Sequence, residues 1–191
     1  MIFKFTDFEN INLAELFPFV CIDIETTGIK RETAEIIEVS AIKYDYGFVE
    51  SGRYSTYCKA EKGVNDFSFA VNGLSNRFLS AYKPFRAYRS DFEEFIDGCN
   101  IVGYNVGFDL DFLSFNGTYF NSYIKYFDVL RLARKKLKKA PGCRQHYTDW
   151  DVLNHKLTTL CDYYGICRDN AHDSLADCEM TVEVLKKLLN Y

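Results

Sequence analysis

No stretch of this chain approaches the roughly 18 consecutive apolar residues that a membrane-spanning helix needs. Its first residues also lack a basic lead followed by an apolar core, so neither a membrane span nor a signal peptide is expected, and a cytoplasmic setting is. An excess of positive charge is missing too. Lys plus Arg number 23 against 27 Asp plus Glu, for a net charge of −4. A protein that held nucleic acid by net charge alone would be basic, so any polyanion bound here needs a local basic patch or a bound metal. The seven cysteines contain no CxxC pair and are odd in number. Reduced, buried thiols of a cytosolic protein are the expectation, and the ligand spacing of a zinc site is lacking. There is no internal repeat, no low-complexity linker and no break in composition. What is present is a chain of 191 residues, 48% apolar and 17% aromatic. That is enough for one folded domain with a real core and argues against disorder.

Read in order, residues 1–18 form a lead-in packed on the domain by Phe3, Phe5, Phe8 and Phe17. Residues 19–28 are apolar and β-branched at first and end in Thr-Thr-Gly, which predicts a buried strand closing in a turn. Residues 35–45 predict a second strand, with Ile37, Val39 and Ala41 on one face and Ile36, Ile42 and Tyr44 mainly on the other. Gly47 marks a turn, and a third strand runs near 53–59. Residues 60–84 are less regular, with a turn signal at Asn72-Gly73. A helix is expected over 85–96, a short buried strand at 100–105, a helix over 108–115, a strand near 123–127 and a helix over 129–139 with Asp128 as its N-cap. A short helix over 156–164 stops at Gly165, and a last helix runs over 174–189. Three strands on short links, then strands alternating with helices, predict an α/β domain with a mixed central sheet of about five strands flanked by helices.

Four acids fall at the ends of these elements. Asp23 and Glu25 are two apart on the first strand, so they point the same way, roughly 6.5–7 Å apart at the backbone. Either they face water on an edge strand, or they share a site where a cation relieves their repulsion and lost hydration. Asp109 falls in the first turn of a helix, where the dipole favours negative charge. Asp109 and Asp111 either decorate that helix start or one of them joins a site, and the glycines flanking Asn105 would allow a close approach to the backbone. His172 and Asp177 are separated by roughly 140° on a continuous helix. They share a site only if His172 lies in the loop before the helix, with Asp173 or Ser174 as N-cap. Strand ends and helix starts of an α/β sheet can meet at one rim. Four carboxylates and a histidine gathered there match a two-metal site, and hard oxygen ligands favour Mg²⁺ or Mn²⁺.

Three segments, Asp23-Ile24-Glu25-Thr26-Thr27-Gly28, then Asn105-Val106-Gly107-Phe108-Asp109, then His172 with Asp177, resemble in order and spacing the motifs of the DEDDh branch of 3′→5′ exonucleases, within the RNase H-like superfamily. The similarity runs over nearly the whole chain and leans towards the proofreading epsilon-subunit group of bacterial DNA polymerase III. A sister branch has tyrosine four residues before the last acid. Here that position is Asp173, so the histidine branch fits. The family often has histidine where Tyr104 stands, and Asp-Thr where Asp128-Val129 stands. Neither departure touches a metal ligand of the family, and Asp128 reads as structural.

The resemblance implies a three-layer RNase H-like fold forming a single exonuclease domain over 1–191. It also implies hydrolysis of phosphodiesters at a 3′ end with release of nucleoside 5′-monophosphates. Two divalent cations, Mg²⁺ or Mn²⁺, would be held by Asp23, Glu25, Asp109 and Asp177, with Asp23 bridging and His172 as general base. Thr26, Thr27, Gly28 and Asn105 would meet the substrate. The implied partner is a single-stranded or frayed 3′ end of DNA, with RNA as the alternative because these motifs do not report on the 2′-hydroxyl. A DNA polymerase is a further partner to consider, although no tail follows the last helix and the sole glutamine, Gln145, offers little for a clamp-binding peptide. A nucleic-acid-binding or assembly module that has lost the chemistry is the non-enzyme alternative. Arg131, Arg134, Lys135, Lys136, Lys138 and Lys139 read either as one solvated helix face or as a track for a nucleic-acid backbone.

Overall fold

A computed structural model describes residues 3–8, 12–140, 150–168 and 173–191. Its centre is a sheet of five strands, β1 (Phe19–Thr26), β2 (Ile36–Asp45), β3 (Val49–Tyr57), β4 (Asn100–Gly103) and β5 (Tyr126–Asp128), in the order β3-β2-β1-β4-β5. The first three form an antiparallel meander, and β4 and β5 run parallel to β1. The helices are α1 (Asp66–Asn72), α2 (Asn76–Leu79), α3 (Arg89–Ile96), α4 (Gly107–Phe115), α5 (Val129–Lys136), α6 (Leu157–Tyr164) and α7 (Ser174–Leu189).

The period-two alternation of β1 divides the core into two layers. Phe19 and Cys21 pack with Ile42 and Tyr44 of β2 under α5, α6 and α7, where Leu132, Leu160, Cys178, Val182 and Leu185 cover them. Val20, Ile22 and Ile24 point the other way, onto Phe92 and Ile96 of α3 and Leu110, Phe112 and Leu113 of α4. Asp23 and Glu25 continue the Phe19–Cys21 face, so they emerge on the α7 side of the sheet. α7 lies along β1 and β2. It approaches β1 closely because small thiols meet there: Cys178 Sγ is 3.4 Å from the Cys21 carbonyl, and Cys21 Sγ is 3.6 Å from that of Cys178.

The lead-in packs through its aromatics as expected. Phe3 sits against Phe120 and Tyr126, Phe8 against Phe127, and Phe17 against Phe19 and Phe48. Other expectations need correction. In β2 it is Ile36, not Ile37, that shares a face with Val39 and Ala41. Thr26 pairs with Ile36 while Glu25 pairs with Glu38, so Ile37 is the extra residue of a β-bulge. The bulge sends it to a separate cluster with Ala60 and Leu79. Residues 60–84 hold two helices. Asn65 caps α1 through Ser68 N and Ser75 caps α2 through Phe78 N. Asn72-Gly73 is the left-handed end of α1 rather than a free turn. Residues 85–87 form a 3-10 turn before α3. α5 ends at Lys136, and Lys139 instead bridges to Val152 as extended chain. The cysteines are buried at 21, 58, 99, 161 and 178, Cys167 is exposed, and Cys143 lies outside the described residues. Among the described residues no helix is long and apolar enough to cross a membrane.

Candidate active site

β4 pairs with β1 only over Phe19–Cys21, so the last part of β1 runs past its parallel neighbour. At this overhang the Asp23 and Glu25 carboxylates meet that of Asp177 from the first turn of α7. One oxygen from each of the three lies within 4.8 Å of the others. Asp109 is not in that group of three. It sits 4% exposed in the first turn of α4, and its Oδ1 accepts the Ile24 N–H at 3.1 Å, a donor on the overhanging segment. Asp109 thereby holds the strand between the two acids. Its charge still reaches them.

The electrostatics follow from this crowding. Burial, then the charges of Asp109, Asp177 and Glu25, push the Asp23 carboxyl well above the usual carboxylate range. Burial, then Asp177, Glu38 and Asp109, push Glu25 up to about 8. Asp109 is also raised, chiefly by burial, against the lowering effect of its backbone hydrogen bonds. A group of acids this desolvated is either protonated or neutralised by a cation. Three carboxylate oxygens at mutual distances spanned by one ion are hard donors suited to a divalent metal, so the residues present fit the group.

The start of α7 is fixed by Asp173, whose Oδ1 accepts from Leu175 N and Ala176 N. Behind it, Ser174 N donates to Glu38 Oε2 at 3.3 Å, and Ser174 Oγ bonds Ser40 Oγ at 2.7 Å, which bonds Ser55 Oγ at 3.0 Å. This buried polar line ties β3, β2 and α7 one turn before Asp177. Sequence reading missed Glu38, which is 2% exposed, faces Glu25 across the sheet and is pushed up to about 7 by burial and then by Asp173. A lone acid inside an Ile-Ile-Glu-Val run was the available signal. It also missed Asn72 at the end of α1, whose side-chain amide bonds Ser68 Oγ at 3.1 Å and whose proximity works against the rise at Glu25. His172 lies outside the described residues.

The Thr26–Gly28 turn is held by its own threonines. Thr26 Oγ1 donates to the Gly28 carbonyl at 2.7 Å, and Thr27 Oγ1 accepts from Glu35 N at 2.9 Å. α1 clamps it from above, through Ser68 Oγ to the Thr26 carbonyl and Asn65 Nδ2 to that of Thr27. Asn105 is exposed and sits at φ 58°, a left-handed conformation uncommon outside glycine, held by its N–H on Asp128 Oδ1 at 3.0 Å. The same Asp128 oxygen caps α5 at Leu130 N, in keeping with its expected structural role. Gly103 is small for the protein's own packing. A Cβ there would lie 2.7 Å from Val106 Cγ2 and 3.0 Å from the Ile22 carbonyl. Tyr104 donates its hydroxyl to the His155 carbonyl at 2.7 Å and so braces the turn instead of entering the cluster.

The basic residues near α5 are largely engaged in the fold. Lys135 pairs with Asp7, and Lys136 Nζ bonds the Leu188 carbonyl at 2.7 Å. Arg131 lies 3.7 Å from Asp128 and stacks over Phe5. With Lys138 and Lys139 off the helix, the solvated and structural reading of these cations holds better than a continuous track. Asp111 is likewise accounted for by an ion pair with Arg31.

A mixed sheet of this order, covered by helices on both faces and with an acid cluster at the end of its central strand, is the RNase H-like arrangement. The chain belongs to the exonuclease family RNase_T, whose model matches residues 20–185. It is 27% identical over 175 residues to the 3′-5′ exonuclease DinG of Bacillus subtilis (strain 168), covering 89% of this chain and 18% of that protein. It is also 27% identical over 181 residues to the DNA polymerase III subunit epsilon of Escherichia coli (strain K12), covering 86% of this chain and 68% of that subunit. Among solved structures, the zinc-bound complex of E. coli exonuclease I with single-stranded DNA superposes with a TM-score of 0.72 at 21% identity, over 91% of this chain and 42% of that one. The chain therefore spans under a fifth of DinG, about two fifths of exonuclease I and about two thirds of epsilon.

Proposed function

We propose that this chain is a single exonuclease domain that removes nucleoside 5′-monophosphates from the 3′ end of a nucleic-acid strand with the help of two divalent cations, Mg²⁺ or Mn²⁺. The observation that carries the reading is the convergence of Asp23, Glu25 and Asp177 within 4.8 Å at the end of β1. Asp23, Glu25 and Asp177 would hold one cation, and Asp109 with Asp23 would hold the other. When bound, the cations polarise the scissile phosphate, supply the attacking water and stabilise the leaving 3′ oxygen. Glu25, pushed up to about 8, would have to release its proton to serve as a ligand. His172 keeps the role that the family's third motif gives it, taking the proton of the attacking water. The Thr26–Gly28 turn, stiffened by its own hydroxyls and by α1, presents a rigid edge to the terminal nucleotide, and the exposed Asn105 side chain meets its backbone.

DNA is the preferred substrate. The relatives' own names support it: epsilon is a subunit of DNA polymerase III, and the exonuclease I structure holds single-stranded DNA. By the same likeness a DNA polymerase is the candidate protein partner, and a cytoplasmic setting goes with both. The test uses 5′-labelled single-stranded DNA and a matched RNA with Mg²⁺, Mn²⁺ or EDTA. A metal-dependent ladder shortening from the 3′ end, faster on DNA, is the expected result. Shortening from the 5′ end, or an undiminished ladder in EDTA, overturns the reading. A faster RNA ladder moves the substrate to RNA.

A further inference from the structure

The residues just past Glu25 line a groove of about 470 Å³ on the outer side of the Thr26–Gly28 turn, walled by Thr27, Gly28, Lys30, Thr33, Lys62 and Asn65. It begins at Thr27, two residues past Glu25, and its far wall is tied to that turn by Asn65 Nδ2 on the Thr27 carbonyl at 3.0 Å. The groove is cationic in a chain that is acidic overall. Lys30 has no ion-pair partner within 4.0 Å among the described residues, and Lys62 Nζ makes only a long 3.4 Å contact with the Thr33 carbonyl. Two of the acids nearby have guanidinium partners, and a third stays beside the groove on backbone amides. Glu32 pairs with Arg31, Glu61 pairs with Arg86, and Glu35 accepts from the amides of Glu61 and Lys62. The backbone N–H groups of Gly28, Ile29 and Lys30 also have no hydrogen-bond partner among the described residues. Two ammonium groups without a salt-bridge partner among the described residues and free amides, starting two residues past Glu25, suit an anion that extends outwards from the site.

We propose that this groove carries the sugar–phosphate backbone of the single strand being trimmed, with Lys30 and Lys62 on phosphates 5′ to the one cleaved. The inference rests on the exonuclease reading above and supplies what the cations near α5 do not, a positive path that starts at the site itself. Phosphate contacts of this kind position a strand without reading its sequence. Each one lost from a single strand lowers the slope of log affinity against log salt by about 0.7. Removing both lysines should therefore lower the slope by about 1.4. Carried from about 1 M salt down to about 0.15 M, that is a weakening of about tenfold.

The experiment compares the wild type with the Lys30→Gln/Lys62→Gln variant in two assays. Binding of a fluorescent oligothymidylate is measured by anisotropy in EDTA over a salt series, so that no cleavage is needed. Hydrolysis of the same oligomer is then measured against the p-nitrophenyl ester of thymidine 5′-monophosphate, which has no upstream phosphate. The expected result is about tenfold weaker binding with a slope smaller by about 1.4, and an oligomer kcat/KM that falls about tenfold relative to that of the ester. Unchanged oligomer affinity and salt slope overturn the groove assignment. So does an equal loss on oligomer and ester, which would mark the lysines as structural. If the wild type hydrolyses neither substrate while the lysines still govern binding, the groove stands and the exonuclease reading fails.

Discussion

Metal binding at this site should release protons. Without a cation, Glu25 is pushed up to about 8 by burial and by Asp177, Glu38 and Asp109, and Asp23 is raised well above the usual carboxylate range by burial and by Asp109, Asp177 and Glu25. At pH 7 a carboxyl titrating near 8 is protonated in about nine molecules of ten. A cation seated among Asp23, Glu25 and Asp177 requires them ionised, so about one proton should leave Glu25 for each binding event at neutral pH. The apparent association constant should then rise about tenfold from pH 6 to pH 7 and flatten above about pH 8. Calorimetric titration of Mg²⁺ or Mn²⁺ in buffers of different ionisation enthalpy counts those protons directly. A count near zero at pH 7 would refute the reasoning, because it would mean the acids were already ionised and not desolvated. The sign also fixes the stability of the metal-free protein. A carboxyl whose folded pKa is raised stabilises the fold fully below its unfolded value, near 4.3, and loses that contribution as pH rises through about 8. The metal-free melting temperature should fall from pH 5 to pH 8, and saturating metal should remove most of the fall.

Asp23→Asn should abolish cleavage by more than about a hundredfold while raising the metal-free melting temperature at pH 8, since it removes one of several crowded charges; about 2–4 °C is expected per kcal/mol recovered. Gly103→Ala forces a Cβ to within 2.7 Å of Val106 and 3.0 Å of the Ile22 carbonyl. It should cost about 1–3 kcal/mol in denaturant titration and depress kcat through displacement of α4 and Asp109. Asp128→Ala removes the α5 cap and the anchor of the left-handed Asn105. A loss of about 1–2 kcal/mol is expected, with a rise in KM for oligomer exceeding any change in metal affinity.

The site was legible because its signals are local. Asp23 and Glu25 share a face by strand alternation, Asp109 falls in the first turn of α4, and Asp173 caps α7 as its position before an apolar stripe requires. The antiparallel meander and the later alternation of strands with helices were legible from short links early in the chain and helical segments later; the order of the strands comes from the structure. What escaped depends on tertiary neighbours. The bulge at Ile37 has no composition mark, because Ile-Ile-Glu-Val suits either register. α1 and α2 are short and expose Phe67, Phe69 and Phe78, which hides any helical periodicity, although Asn65 and Ser75 were readable as caps. The glycine at 103 pointed to close approach, and the approaching groups are Val106 and Ile22 of the protein itself. The run of cations from 131 to 139 looked like one face because the sequence does not show that Leu137 turns the chain out of the helix, nor that Asp7 and the Leu188 carbonyl are waiting for Lys135 and Lys136.

The central claim is that the acids at the end of β1 and on α7 exist to hold divalent cations. Crystals of the protein grown or soaked with Mn²⁺, measured for anomalous scattering, test it most directly. The account predicts a peak bounded by Asp23, Glu25 and Asp177, lost in Asp177→Asn. Well-diffracting, Mn²⁺-saturated crystals with no peak among these three carboxylates, or with manganese bound only elsewhere, would contradict it.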